Sequence, residues 1–358
     1  MTNPLVTIII PSYNHAPYIE HTINSILKQS LQNFELLIVD DNSTDNSLKI
    51  IKKFQDKRLK TFFLEKNIGM CKASNLMIEE AKGEYLSIIA SDDIMKPDNL
   101  KNKINFLQNN PEYGAVFSQI EIINDENKVI TRKTKKSERF FPAIVRNRYE
   151  WLNYFFFNGN CIAAPTFVAR TESVKRINGF NNLIFQAHDF DMWVRLCLEG
   201  YEMFVLPEKL VQYRQSNKNK SLSRNTTSVR KRLVFDNEKI LENFLSIKKI
   251  NDLVKIFPDL LPLKSKISDE LIPSLIALQS LKVGGQSIYH QQFALNILYH
   301  ELKNQQIQEK LEKEFNFTNE DFFKLVSNNP LGKFSEEINK KTLFRKVSDK
   351  LSRILDRS

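Results

Sequence analysis

The first third of the chain alternates short, nearly continuous apolar runs with longer stretches in which apolar residues recur at helical spacing. The apolar runs predict strands, which we place at residues 6–10, 34–39, 59–65, 84–90 and 114–123. The stretches between them predict helices, which we place near 16–29, from about 45, near 70–82 and near 97–109. Continuous apolar strands that alternate with helices are typical of a parallel sheet covered on both faces. We therefore predict an α/β fold that binds its ligand at the carboxyl ends of the strands.

The pattern changes after residue 123. Residues 124–148 are basic and lack periodicity, so we predict a loop there. A mixed, aromatic-rich stretch follows, with a helix predicted from about residue 189. Residues 226–358 then read as helix after helix, with only three glycines. We predict two domains, an α/β domain at residues 1–225 and a helical region at residues 226–358.

Composition narrows the class of protein. Of the 358 residues, 42% are hydrophobic, and no apolar run approaches the roughly 18–20 residues that span a bilayer. The beginning of the chain lacks the basic start and long apolar stretch of a signal peptide, so we expect the protein in the cytoplasm. The three cysteines, Cys71, Cys161 and Cys197, form no CxxC pair, so neither a disulfide framework nor a zinc site is predicted.

The formal net charge of +10 suits nucleic acid, an anionic membrane surface or phosphorylated ligands. The chain shows no helix-turn-helix signature, no zinc-finger spacing and no RNP-like aromatic motif. We therefore expect no nucleic-acid partner, and charge alone does not choose between the other two.

Hydroxyl, amide and carboxylate groups gather just after three of the predicted strands. They are Ser12-Tyr13-Asn14, Asp40-Asp41-Asn42-Ser43 and Ser91-Asp92-Asp93. Taken singly, each aspartate pair is also explained as a helix cap or a turn. Taken together, four carboxylates meet at one edge of one predicted sheet, where a divalent cation shared with substrate phosphates would relieve their repulsion. No glycine-rich phosphate loop follows any of these strands, which leaves a metal ion to hold the phosphate.

Five ordered stretches between residues 5 and 223 carry a resemblance to a known family. They are VTIIIPSYNHAPYIEHTINSILKQSLQNFELLIVDDNSTDNS, NIGMCKASN, ASDDIMKPD, INGFNNLIFQAHDFDMWVRLCLEGYE and LVQYRQSNKNKSLS. Their order and content resemble the family 2 glycosyltransferases of the bacterial surface-glycan type, which have the GT-A fold. The resemblance implies a Rossmann-like mixed sheet, with a nucleotide-binding half at 1–123 and an acceptor and catalytic half at 124–225. It does not extend over residues 226–358, which would be an all-α extension.

The resemblance also implies a site for a UDP-sugar. On the residues that match the family's motifs, the nucleotide would be held by Pro11, Tyr13, Asp40, Asp41, Lys72, Asn75 and Asp92. Tyr13 would stack on the uracil, Asp41 would accept a hydrogen bond from the base, and Asp92 would bond the ribose. Asp93 would bind Mn²⁺ or Mg²⁺ that carries the diphosphate. Asp189 would be the general base that takes the proton of the acceptor hydroxyl, so that a single displacement inverts the anomeric configuration.

The stretch HDFDMWVRL has a purely structural alternative. Asp189 and Asp191 would lie in the first turn of a helix, where acids interact favourably with the helix dipole. Arg195 lies four residues beyond Asp191, which is pairing distance on a helix. We predict that Asp191 pairs with Arg195 and that Asp189 faces the substrate. His188 stands where the family usually has glutamate, and we expect it to support the base or the acceptor.

The chain departs from the family pattern at two places. The first carboxylate of the usual D-x-D is missing in Ala90-Ser91-Asp92, so metal binding would rest mainly on Asp93. The histidine that usually follows the family's tyrosine–arginine pair is replaced by Ser216. Positive charge for the diphosphate would then come from Arg214, Lys218 and Lys220, of which the two lysines belong to a polar segment suited to close over the donor.

The last segment, residues 332–358, places apolar residues at helical spacing beside an excess of lysine and arginine. A basic amphipathic helix can lie in a membrane interface. A helix docked on its own domain or in an oligomer interface has the same pattern, and both alternatives stay open.

These observations predict an inverting, metal-dependent glycosyltransferase. It would move a hexose or an N-acetylhexosamine from a UDP-sugar to a hydroxyl of a bacterial surface glycan or glycolipid, in the cytoplasm or at the inner face of the cytoplasmic membrane. The alternative is a non-catalytic protein that binds nucleotide-sugar or glycan through a degenerate GT-A site. The sugar, the linkage and the oligomeric state are left open.

Overall fold

The computed structural model describes residues 3–216, 226–283 and 287–327. The chain forms two compact units. The first unit contains Met1–Arg148 and Asn160–Arg224, and the second contains Tyr149–Gly159 and Asn225–Ser358. The segments 217–225 and 328–358, which hold Lys218, Lys220 and the basic C-terminal pattern, lie outside the described residues.

The strands of the described residues all belong to one sheet. They are β1 (Val6–Ser12), β2 (Phe34–Asp40), β3 (Leu59–Phe63), β4 (Tyr85–Ile88), β5 (Ile94–Met95), β6 (Tyr113–Ile123), β7 (Val168–Arg170) and β8 (Glu202–Arg214).

The helices of the first unit surround this sheet in sequence order. They are α1 (Ile19–Leu27), α2 (Ser47–Ile51), α3 (Met70–Glu80), α4 (Asn99–Asn109), α5 (Thr131–Phe140), α7 (Thr171–Arg176) and α8 (His188–Leu198). The second unit contains α6 (Arg148–Asn158), α9 (Thr227–Glu242), α10 (Ile250–Ile256), α11 (Ile272–Leu281), α12 (Ile288–Glu301), α13 (Gln305–Phe315) and α14 (Asn319–Ser327), with short 3-10 turns between some of them.

The sheet has the order β3-β2-β1-β4-β7-β6-β8-β5. Its first four strands are parallel, because β1 pairs in parallel with β2 and β4, and β2 pairs in parallel with β3. β7 runs antiparallel between β4 and β6, while β6 and β8 are parallel and β5 closes the edge antiparallel to β8. The five predicted strands are present, and the mixed sheet implied by the resemblance is confirmed.

The core of the first unit lies on both faces of the central strands. β1 is buried along almost its whole length because a covered parallel strand has no face for water, and Ile8 and Ile10 are fully buried. On one face, α1 contributes Ile19, Ile23 and Ile26 at helical spacing. This packing fixes the carboxyl ends of β1, β2 and β4, where the candidate site residues follow.

The prediction of a loop at residues 124–148 is wrong, because α5 occupies Thr131–Phe140. Its inward face is made of Thr134 and Ser137 in place of large apolar residues, so the helix has no apolar periodicity to detect. The hydroxyl of Thr134 accepts from the backbone N–H of Ile122 at 2.9 Å, and that of Ser137 donates to the carbonyl of Thr134 at 2.7 Å. Small polar groups thus hold the helix against β6.

The second unit draws its helices from two separate parts of the chain. We had placed α6 with the catalytic half at 124–225, but Tyr149–Gly159 clusters with the later helices. Phe156 of α6 packs edge-on against Phe244 and Phe257, with ring centroids 5.0 and 4.9 Å away. Within the described residues, no helix combines the length and the apolar character needed to cross a bilayer.

Candidate functional site

The loops after β1 and β2 are bound to each other at the edge of the sheet. Asn14 adopts a positive φ of 54°, and its side-chain oxygen accepts from the backbone N–H of Thr44 at 2.7 Å. Its own N–H donates to the hydroxyl of Ser43 at 2.9 Å. Between these contacts Tyr13 stands 46% exposed, while Pro11 lies within β1 and is half-buried. The tyrosine ring is therefore presented at the end of the strand on a fixed backbone.

Asp40 and Asp41 hold backbone on different sides of the site. The carboxylate of Asp40 is fully buried and accepts from the N–H and the hydroxyl of Ser43, at 2.8 and 2.7 Å. The carboxylate of Asp41 accepts from the N–H groups of Ile68 and Gly69, at 2.7 and 2.9 Å. Gly69 has a φ of 88°, a conformation that favours glycine, just before α3 begins. Asp40 therefore stabilises its own turn, whereas Asp41 fixes the loop that leads into α3.

Asn75 connects α3 to the segment that precedes α8. Its side-chain oxygen accepts from the N–H of Phe180 at 2.8 Å, and its amide donates to the carbonyl of the same residue at 2.9 Å. Lys72, one turn earlier on α3, is exposed. Of the two residues expected near the nucleotide, Asn75 thus uses its amide within the protein and Lys72 presents its amine to solvent.

The segment Ser91–Asp93 follows β4 and carries the most unusual carboxylate of the site. Asp93 is 1% exposed, and one of its oxygens, Oδ1, accepts from the backbone N–H of Arg214 at 2.8 Å. The other oxygen, Oδ2, is buried and has no hydrogen-bond partner. Burial and the neighbouring charge of Asp92 raise the pKa of the Asp93 carboxyl well above its ordinary range. An unpartnered buried carboxylate oxygen is costly unless a positive group reaches it.

A divalent cation fits this position. Among the described residues, no group of three or more His, Cys, Asp or Glu side chains is arranged to hold a metal ion. One carboxylate with a free oxygen suits Mn²⁺ or Mg²⁺ that takes its remaining ligands from phosphate and water. The donor set therefore matches an ion brought in by a diphosphate better than an ion held by the protein alone.

Arg214 is an internal support of the site. It is 4% exposed, its Nε donates to the carbonyl of Asp92 at 2.8 Å, and its guanidinium lies 4.6 Å above the ring of Tyr18. Its remaining donors reach the carbonyl of Asn124 and the side-chain oxygen of Asn127, each at 2.5 Å. The guanidinium thus ties the aspartate segment to the turn after β6. Ser216, which replaces the family's histidine, lies with its hydroxyl 3.4 Å from that of Tyr18.

The first turn of α8 carries the other candidate residues. Asp189 is partly exposed, and its Oδ2 accepts from the amide of Asn160 at 3.1 Å. Asp191 is buried and accepts from Nε and Nη2 of Arg195 at 2.7 and 2.6 Å, so the predicted ion pair is present. His188 lies beside Phe180, with its Nδ1 3.2 Å from the carbonyl of Phe185.

Arg195 extends this arrangement to the loop before the helix. Its Nη1 and Nη2 donate to the carbonyls of Ile177 and Gly179, at 2.6 and 2.8 Å. The pair with Asp191 therefore fixes where α8 begins. Because Asp191 is occupied in this way, Asp189 is the acid of that turn with an accessible carboxylate.

Two contacts of the site have no signal in the sequence. Asn160 orients Asp189, and its own side-chain oxygen is held by the N–H of Ile162 at 2.9 Å. His15 lies with its Nδ1 2.6 Å from the hydroxyl of Ser91, which bridges the β1 and β4 loops. Both contacts join residues far apart in sequence, so neither spacing nor periodicity could have indicated them.

Comparison with known proteins places this arrangement among characterised and uncharacterised relatives. The model of the family "Glycosyl transferase family 2" matches residues 7–169. The putative teichuronic acid biosynthesis glycosyltransferase TuaG of Bacillus subtilis is 30% identical over 239 residues, covering 66% of this chain and 88% of that protein. An uncharacterized glycosyltransferase of Methanocaldococcus jannaschii is 28% identical over 228 residues, covering 63% and 75% of the two chains.

Solved structures extend the likeness to the fold. S. aureus TarS 1-349 in complex with UDP aligns with a TM-score of 0.53 at 19% identity, covering 94% of this chain and 95% of that one. The mannosyltransferase PcManGT from Pyrobaculum calidifontis, in complex with GDP-Man and Mn²⁺, aligns with a TM-score of 0.51 at 17% identity, covering 99% and 86%. At these identities the likeness concerns the course of the chain.

Proposed function

Because the chain belongs to glycosyltransferase family 2 and has its GT-A fold, we propose that it moves a sugar from a UDP-sugar to a hydroxyl of a bacterial surface glycan, with inversion. Membership of the family makes it an enzyme of the transferase class. The sugar would be a hexose or an N-acetylhexosamine, and the acceptor a lipooligosaccharide, a capsule or a similar glycan. Such work belongs in the cytoplasm, at the inner membrane face when the acceptor is lipid-linked.

The observation that carries the proposal is the free, buried Oδ2 of Asp93. Mn²⁺ or Mg²⁺, when bound there, would act as a Lewis acid that offsets the charge developing on the leaving diphosphate. Asp93 would hold the ion, and Asp92, which is half-buried beside it, would bond the ribose. Solved neighbours in complex with UDP and UDP-GlcNAc support the choice of a uridine donor.

The uracil would lie between the loops after β1 and β2. The exposed ring of Tyr13 offers a stacking face beside Pro11. Each carboxylate oxygen of Asp41 accepts one backbone N–H, and a carboxylate oxygen has a second lone pair for the base. The role proposed for Asp40 is indirect, since its buried carboxylate shapes the turn that carries Asp41.

Asp189 would take the proton of the acceptor hydroxyl. It stands at the beginning of α8 with an accessible carboxylate whose Oδ2 is oriented by Asn160, which leaves Oδ1 for the hydroxyl. Proton transfer to a positioned carboxylate accelerates such reactions by roughly 10²–10⁴-fold. One base and no protein nucleophile give a single displacement, so the product should have the inverted anomeric configuration.

Thermal unfolding with UDP, with Mn²⁺ and with both tests the donor site. A ligand at 100 times its dissociation constant adds about 2.7 kcal/mol to the free energy of unfolding, so we expect a clear rise in melting temperature that needs both ligands. Asp93→Asn keeps the oxygen facing Arg214 and should lose the Mn²⁺-dependent part. Asp98→Asn, an exposed aspartate five residues later, is the matched control and should respond like the parent protein.

Asp189→Asn separates the enzyme from the alternative of a non-catalytic binding protein. The variant should lose transfer from UDP-sugars while UDP still raises its melting temperature, because the substituted group lies on the acceptor side. A parent protein that binds UDP with Mn²⁺ but transfers no sugar from any UDP-sugar would favour the binding protein instead. No response to UDP at all would contradict the proposed donor and direct the search to GDP, CMP and dTDP sugars.

A further inference from the structure

The outward face of α5 is almost uniformly basic. Five of its ten residues are exposed lysines and arginines, namely Arg132, Lys133, Lys135, Lys136 and Arg139. None of the five forms an ion pair with a described residue, whereas the one acid of the helix, Glu138, pairs with Lys209 at 2.6 Å. Because Thr134 and Ser137 fix the inward face to β6, the helix cannot turn its charges toward the sheet.

Exposed apolar side chains lie directly beside these charges. Phe140, at the end of α5, is 60% exposed, and Ile144 and Val145, just beyond it, are 42% and 67% exposed. Val129, just before the helix, is 45% exposed. Single exposed apolar residues are ordinary, but four within 17 residues that also carry seven lysines and arginines mark an interaction site. We call residues 129–145, with Lys128 and Arg146 at their ends, the α5 surface.

We propose that the α5 surface docks on an anionic phospholipid bilayer. Exposed lysines and arginines are attracted to the negative potential of such a membrane, and each one adds to the affinity. Phe140, Ile144 and Val145 can enter the boundary between head groups and acyl chains, as the apolar side of an interfacial helix does. Nucleic acid would use the charges but gives exposed aliphatic side chains nothing to bind, so the bilayer is the better fit.

The position of the α5 surface gives the docking a purpose. The turn that leads into it, residues 124–128, contacts the donor side of the site directly. Arg214 donates to the carbonyl of Asn124, and the hydroxyl of Tyr18 donates to the carboxylate of Asp125 at 2.8 Å. A membrane bound at the α5 surface therefore lies within a few residues of the loops that would hold the donor. This inference concerns binding and does not depend on the proposed reaction.

Sedimentation with lipid vesicles tests the proposal on the full-length chain. Vesicles of phosphatidylglycerol and phosphatidylcholine in equal parts should bind the protein, and vesicles of phosphatidylcholine alone should not. The variant Lys133→Glu, Lys135→Glu, Lys136→Glu should weaken that binding by about tenfold or more, and added salt should weaken the parent protein in the same direction. Phe140→Ser with Val145→Ser should weaken it while keeping the salt dependence.

Two charge-reversed variants serve as controls, and the melting temperature of each shows that it is folded. Lys49→Glu, Lys53→Glu, Lys57→Glu changes three exposed lysines elsewhere on the first unit and should bind vesicles like the parent protein. Lys340→Glu, Lys341→Glu, Lys346→Glu removes charge from the C-terminal basic segment. The inference is overturned if the C-terminal variant alone loses binding, or if all three charge variants lose it equally. It is also overturned if the α5 variant loses binding to random-sequence DNA but not to vesicles.

Discussion

The aspartates at the ends of β2 and β4 differ in what their oxygens contact. Asp40 and Asp41 accept hydrogen bonds on both oxygens, so their charges are stabilised by the protein itself. Asp93 keeps one buried oxygen without a partner, which disfavours its ionised form. A residue that costs the folded protein free energy in this way is best explained by a ligand that the site is built to receive.

At the same scale, Asn160 should act as a positioning residue for Asp189. Asn160→Ala removes the amide that orients the carboxylate, so we expect kcat to fall about tenfold while KM for the UDP-sugar stays unchanged. Steady-state kinetics with both substrates measure the two constants. Asn158→Ala is the control, since its amide contacts only the carbonyl of Tyr154 among the described residues. A rise in KM for the donor with unchanged kcat would contradict the assignment.

At the scale of one element, α8 depends on a buried ion pair. Asp191 and Arg195 are held in one geometry by two contacts between them and by the two carbonyls that Arg195 reaches. Removal of one partner leaves the other charge buried and unpaired, which costs about 3–5 kcal/mol in comparable proteins. The pair therefore fixes the beginning of the helix that carries Asp189.

Arg195→Met should accordingly lower the free energy of unfolding by about 3 kcal/mol or more, as measured by urea denaturation. Glu199→Gln breaks the exposed contact with Arg176 and should leave the stability nearly unchanged, because surface ion pairs contribute little. Equal effects of the two substitutions would show that the buried pair does not hold the helix.

Elements with a strong apolar pattern could be predicted, and those without one could not. β1 and β2 are buried on both faces, so their apolar runs identify them. β7 has only three residues, and β8 is broken by exposed polar positions and by register shifts against β6, so neither stood out. α5 was missed because its buried face is polar.

The candidate site was predictable to a similar extent. Short motifs place Asp93 and Asp189 at the ends of elements, where a parallel sheet gathers its ligand-binding residues. They do not reveal that Asn75 contacts Phe180 or that Asn160 contacts Asp189, because such contacts depend on how distant loops pack.

At the scale of the whole chain, the second unit is joined by hydrogen bonds between segments far apart in sequence. His290 of α12 is buried, its Nε2 lies 2.7 Å from the carbonyl of Phe156 in α6, and its Nδ1 lies 2.6 Å from the hydroxyl of Ser287. Both contacts are satisfied when the proton is on Nε2. Burial lowers the pKa of His290 to about 4, which keeps the ring neutral.

This histidine should make the second unit sensitive to acid. A histidine whose pKa is lowered by folding contributes its full stability above the unfolded pKa near 6.5 and loses it as the pH falls toward 4. The loss should approach roughly 3 kcal/mol over that range. Melting temperatures between pH 7 and pH 4.5 should fall less steeply for His290→Gln than for the parent protein. His300→Gln, at an exposed histidine of the same helix, should follow the parent protein.

The insertion of α6 into the first unit's sequence also bears on how such chains exchange parts during evolution. The chain leaves the first unit after Arg148, returns at Asn160 and leaves it again after Arg224. A single crossover near residue 225 would join a new helical tail to the old α6, whose Phe156 is fitted to Phe244 and Phe257. A successful exchange must therefore replace two stretches of the gene together, so α6 and the tail should be inherited as a pair.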